Sequence, residues 1–213
     1  FRKIQDYFPL FEHDPLDFEP GQKWSYSNAG YMILGAIIER VTGKSYFDYV
    51  KENVFSRAGM GRTDFFEADR PMPDIAQGYT KRNRYLPEAQ EWTNNIFLSP
   101  VKGSPAGGAY STAKDLLKFG EALHDHKLLY EASTVKVLTG IVEYNPNHKY
   151  GYGFATETLG NHKIVFHDGG ANGVSAQFEM YPDYGFTVVV LSNYDHPAVV
   201  PIIEKLRQIL LGN

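Results

Sequence analysis

No cysteine occurs among the 213 residues, so the chain has neither a disulfide framework nor a thiolate nucleophile. Nor is there an apolar run long enough to span a bilayer. Positive charge is not in excess: the net charge is −4, and no cluster of Lys and Arg gives nucleic acid a surface to bind. Seven histidines include no His-Glu-x-x-His, and His124 and His126 stand two apart, which does not share a helix face, so no metal is implied. Gly103–Gly108 is not followed by Lys-Ser/Thr and is no phosphate loop, and no Gly-x-Ser-x-Gly elbow is present. The first residue is Phe and no signal peptide is visible, which leaves localisation open.

What is abundant is an ordinary globular balance, 43% hydrophobic and 22% charged, with enough length to bury a sizeable core. Aromatic content is 15%, most of it attributable to packing, although a cleft for uncharged or aromatic substrates would draw on the same residues.

Residues 1–25 read as an irregular lead-in ending at the turn Pro20-Gly21. From Ala29 to Thr42 the residues Ile33, Leu34, Ile37, Ile38 and Val41 form one stripe at helical period, with Gly43 as the stop. Ser45 can cap a second helix that turns Phe47, Val50, Val54 and Phe55 to the core before Gly59. Residues 60–110, with Pro71, Pro73, Pro87, Pro100 and Pro105, read as a long surface excursion of the kind used for binding loops or lids. Ser111 is the expected cap of a helix striped by Ala113, Leu116, Leu117, Phe119 and Leu123, and a shorter helix is expected after Ser133. After residue 148 the pattern changes. Tyr150–Thr156, Lys163–His167, Val174–Tyr181 and Phe186–Ser192 read as strands, the last two joined at Pro182-Asp183-Tyr184-Gly185. Thr187–Leu191, apolar on both faces, is expected to be a central strand, and Val199–Leu211 a helix that covers the sheet. The fold class is therefore α+β: a helical region over 1–147, then an antiparallel sheet with a C-terminal covering helix over 148–213.

Two short motifs stand out. Tyr26-Ser27-Asn28 opens the first periodic helix, and His167-Asp168-Gly169-Gly170 ends a strand-like run. Each alone is noise: Tyr26 would be a strand-end aromatic, Asn28 a helix cap, His167 a packing residue and Gly169-Gly170 a bulge. Context changes this. The block Pro20–Tyr31, running on through Leu34-Gly35 and Val41-Thr42-Gly43, together with Gly107–Leu116 and His167–Asn193, resembles the penicillin-recognising serine hydrolases. Within them it is similar to the branch of class C β-lactamases, D-Ala-D-Ala carboxypeptidases and related esterases.

The resemblance implies that Tyr26 exchanges protons with a serine nucleophile and that Asn28 binds substrate and the catalytic lysine. A phenol that titrates near ~10 must drop by ~3 to act as a base at pH 7, about 4 kcal/mol, which cationic neighbours supply. His167 would add charge or a hydrogen bond beside Tyr26. Gly169 would leave room for substrate along the strand, and the Gly170 N–H would form half of an oxyanion hole. Relatives often carry Thr or Ser where this chain has Asp168, which, facing the cleft, would repel a substrate carboxylate and suit neutral esters or an amine-bearing substrate.

The family's Ser-x-x-Lys nucleophile motif precedes Tyr-x-Asn, and it is expected upstream of residue 1, making residues 1–213 a partial catalytic domain. Ser111-Thr112-Ala113-Lys114 has the right spacing but follows Tyr26, and reads as a helix cap. The implied partner is a small ester, amide or peptide, with no cofactor and no nucleic acid. Self-association is expected through the surface that the missing part would cover. The rival reading is an inactive fragment or pseudoenzyme that binds a ligand or partner through the same cleft.

Overall fold

In a computed structural model, residues 1–82, 85 and 91–212 are described. Pro87 of the expected loop lies outside the described residues.

Helix α1 spans Asn28–Thr42. Ser27, in extended conformation, caps it by accepting the Gly30 N–H, so the cap is Ser27 rather than Asn28. Gly43, at φ +69°, ends it by donating to the Glu39 carbonyl. The buried positions are Met32 and Gly35, whereas the apolar stripe is largely uncovered, with Ile33 47%, Leu34 54%, Ile37 51% and Val41 78% exposed. Against Gly35 lie Ile4 and Pro105: a Cβ there would stand 2.3 Å from Pro105 Cγ, so only glycine admits this approach. Ile4, 1% exposed, belongs to a 3-10 helix, Ile4–Leu10, inside the stretch expected to be irregular.

Helix α2, Tyr46–Val50, is capped by Ser45 and runs into a π-helical turn, Lys51–Phe55. Phe55, Met60 and Phe65 form a small core beneath it. The excursion over 60–110 is pinned by strands β1, Tyr79–Thr80, and β2, Thr93–Asn94, and by bridges from Asp64 to Tyr110 and from Glu67 to Lys102. Helix α3 is Ala113–His124, and α4, Glu131–Val137, begins two residues before Ser133 rather than after it.

Six antiparallel strands follow in sequential order: β3 Val142–Asn145, β4 His148–Tyr150, β5 Ala155–Leu159, β6 His162–Ala171, β7 Val174–Tyr181 and β8 Phe186–Ser192. The sheet thus begins at Val142, earlier than the pattern suggested, and the expected strand 150–156 is two strands separated by a turn. On one face α3 sets Leu116, Phe119 and Leu123 against Phe154, Val165, Phe178 and Met180. The alternate residues of β7, Ser175, Gln177, Glu179 and Tyr181, face α5, Val200–Leu211, whose Ile203 is buried together with Val199 just before the helix. One expectation fails. Strand β8 is the sheet's edge and not its centre, because among the described residues no strand pairs with its outer side.

Candidate functional site

Strand β6 outruns its neighbour. Its pairing with β5 stops at Phe166–Ala155, whereas its pairing with β7 continues to Ala171–Val174. Among the described residues His167–Ala171 therefore face no strand on the β5 side, and the start of α1 arrives beside this edge. There the rings of Tyr26 and His167 lie 6.3 Å apart, centroid to centroid.

The two belong to a larger aromatic cluster. Tyr26 meets Tyr150 edge-on at 5.9 Å and Tyr31 at 5.8 Å. Trp24 stacks on Tyr144 at 4.9 Å and also touches Tyr150. Tyr31 and Tyr150 share a hydroxyl contact of 2.5 Å, Tyr150 Oη lies 3.2 Å from His167 Nε2, and His167 Nδ1 lies 2.7 Å from the Asp168 carbonyl. Sequence reasoning missed Trp24, Tyr31, Tyr144 and Tyr150. The available signal was weak: His148 and Tyr150 alternate along β4, which turns both rings to one face of the hairpin.

Asn28, the first residue of α1, is exposed two positions beyond Tyr26. Asp168 is exposed, and its charge reaches both Tyr26 and Tyr144. It lines a 340 Å³ pocket with Arg82, Gly170, Ala171, Asn172 and His196. A Cβ added at Gly169 would make an ordinary contact with Ala176, at 3.8 Å, and no closer one. One added at Gly170 would press on His196 Cβ at 3.0 Å. A larger cavity of 500 Å³, against α3 and the β7–β8 turn, contains none of these residues.

The phenol of Tyr26 is shifted upward from 10.0, by burial first and then by Tyr31 and Asp168. This is opposite in direction to the shift that a tyrosine base requires, and no cation figures among its causes. Tyr26 stands here as a neutral phenol.

Ser111 does not cap α3. Thr112 does, accepting the Asp115 N–H at 3.1 Å from an extended backbone (φ −119°, ψ 156°). Ser111 Oγ instead meets Thr63 Oγ1 at 2.8 Å, and Lys114 is exposed. Among the described residues no group of three or more His, Cys, Asp or Glu could hold a metal, and no helix is long and apolar enough to cross a membrane.

This architecture is that of the penicillin-binding proteins. A penicillin binding protein from Bacillus halodurans superposes with a TM-score of 0.89 at 36% identity, covering 97% of this chain and 63% of that one. The chain belongs to the beta-lactamase family of serine hydrolases, whose family model, described as Beta-lactamase, matches residues 5–212. In sequence it is 30% identical to penicillin-binding protein 4* of Bacillus subtilis (strain 168) over 98% of its length and 49% of that protein. A D-amino acid amidase from Ochrobactrum anthropi SV3, complexed with L-phenylalanine amide, shares the fold at a TM-score of 0.77 and 25% identity, over 90% of this chain and 56% of that one. The chain spans about half the length of the first of these curated relatives.

Proposed function

We propose that residues 1–213 form the Tyr-x-Asn and His-x-Gly side of a serine hydrolase active site that acts on esters or amides through an acyl-enzyme. The serine and its lysine come from outside these residues. The observation that carries this reading is the meeting of Tyr26 and His167 beside this edge of β6. Tyr26 acts as the proton carrier once the lysine lowers its pKa, Asn28 orients the substrate amide, and the Gly170 N–H stabilises the oxyanion. His167 polarises the site, and the missing side chain at Gly169 lets substrate lie along β6.

Asp168 and the aromatic wall of Trp24 and Tyr144 favour a neutral ester or an amine-bearing acyl group over a substrate that ends in a carboxylate. The name of the amidase relative fits that choice. A second reading, a binding module without turnover, is supported by the neutral Tyr26 phenol.

Hydrolysis of p-nitrophenyl acetate separates the two. The 213-residue chain is expected to show background rates only. A longer protein that carries an upstream Ser-x-x-Lys should turn over and lose about 10²–10⁴-fold on Tyr26→Phe. Turnover by the short chain that vanishes with Tyr26→Phe would place the nucleophile inside residues 1–213. An inactive longer protein would leave the binding module.

A further inference from the structure

We propose that Tyr31 and Tyr150 are positioning residues: their hydroxyls form a relay that donates to His167 Nε2 and ties that ring to Tyr26. The role of the relay in turnover rests on the hydrolase reading, but its existence does not.

The argument is one of donors and acceptors. A backbone carbonyl can only accept, so the 2.7 Å contact between His167 Nδ1 and the Asp168 oxygen requires the hydrogen to sit on Nδ1. In the neutral ring Nε2 is then a bare lone pair. Tyr150 Oη, 3.2 Å away, must donate to it. A phenol has one hydrogen, and Tyr150 has now used it, so the 2.5 Å contact with Tyr31 must be a bond donated by Tyr31. Every proton in the chain Tyr31, Tyr150, His167 and Asp168 carbonyl is thereby assigned.

The arrangement has one alternative state. When Nε2 gains a proton it becomes a donor to Tyr150, and the Tyr150 hydrogen turns to Tyr31. Both bonds reverse while the heavy atoms stay in place, so a proton taken from solvent at Nε2 frees the hydrogen of Tyr31 at the other end of the relay. The groups around this ring are Tyr26 ahead of α1 and Tyr150 on β4, with Tyr31 of α1 one hydroxyl further on and Asp168 next to it in β6. Tyr31 packs against Tyr26 at 5.8 Å, so the reversed relay presents its hydrogen beside the proposed proton carrier. Burial holds the Tyr150 phenol above its ordinary range, so it keeps its hydrogen in both states and only turns it from one neighbour to the other.

Long-range ¹H–¹⁵N correlation of the His167 ring tests this on the chain itself, at about pH 8, above the ordinary histidine range. Nδ1 should be the protonated nitrogen, with Nε2 shifted upfield of a free lone pair by the bond that it accepts. Tyr150→Phe keeps the ring and its packing against Trp24 and Tyr26. It should send Nε2 back downfield while the Asp168 carbonyl keeps the hydrogen on Nδ1. Tyr31→Phe should keep the Nδ1–H tautomer and produce a smaller downfield shift at Nε2. If Tyr150→Phe fails to fold, the Tyr31→Phe shift decides. A ring protonated at Nε2 in the unsubstituted chain would overturn the relay, as would an Nε2 signal unmoved by the substitutions. Tautomer and turnover are read separately. An inactive longer protein with the expected His167 signals counts against the hydrolase reading alone, and an active one with the wrong tautomer against the relay alone.

Discussion

Asp115 is only 2% exposed, and burial by itself would push its carboxyl upward. The net shift is nevertheless downward from 3.8, because it accepts from the Arg62 N–H at 2.7 Å, from Lys118 at 3.0 Å and from Thr63 at 3.0 Å. The sign follows. A carboxyl whose folded pKa lies below its unfolded one contributes stability that is complete above the unfolded value and lost as pH falls through the folded value. Asp115→Asn should therefore cost about 2–4 kcal/mol near neutrality. Its thermal-melt deficit against the unsubstituted chain should shrink as pH drops from about 5 to below the ordinary 3.8. A deficit that stays constant with pH would show that the charge contributes nothing. At this scale Tyr26 and His167 were legible from motifs, since those residue types are rare in that order and context. Trp24, Tyr144 and Tyr150 were not, because an aromatic residue in a globular chain signals packing until its neighbours are known.

Between elements, α5 is fastened to the sheet by charge as well as by apolar contact. Glu179, 0% exposed, accepts Arg207 Nη2 at 2.7 Å and Nε at 3.2 Å, with Tyr181 at 2.6 Å and Gln177 at 3.0 Å completing its shell. Arg207 also reaches Glu157 at 3.0 Å, so one side chain of α5 bridges β5 and β7. Arg207→Leu should cost about 3–5 kcal/mol, because it leaves a buried carboxylate without its partner. Adding Glu179→Leu should recover only part of that loss, because it removes the unpaired charge but leaves the Tyr181 hydroxyl and the Gln177 amide without their acceptor. Urea denaturation of the two variants distinguishes this from a surface ion pair, for which both changes would stay within about 1 kcal/mol. The apolar stripe of α5 could be seen from helical period alone. The anchor could not, because Glu179 and Arg207 stand 28 positions apart and meet only once β7 and α5 have packed.

At the scale of the whole molecule, two apolar surfaces stand out among the described residues. One is the α1 stripe, and the other is the β8 edge, where Leu191 is 39% exposed and the outer backbone groups face no strand among the described residues. An unpaired apolar edge strand is a template for pairing with another chain. The 213-residue protein should accordingly associate with rising concentration, measured by light scattering on a sizing column. Leu191→Lys, which places a charge on that edge, should shift it toward monomer without changing its circular dichroism. A protein that remains monomeric at millimolar concentration would refute this.

The sequence by itself determined what is local or carried by a motif: helices α1, α3 and α5, the Ser45 cap, the β7–β8 hairpin with Gly185 at φ +69°, and the family. Periodicity reveals which side of an element is apolar, because successive side chains repeat at 3.6 or 2 residues. It carries no information on what covers that side. Hence the α1 stripe, the edge position of β8, the buried Ile4 and the choice of Thr112 over Ser111 as cap were decided only by tertiary packing. The same is true of the site. The chain order supplied Tyr26 and His167, but the tyrosine pair between them exists because β4 and α1 converge where β6 outruns β5.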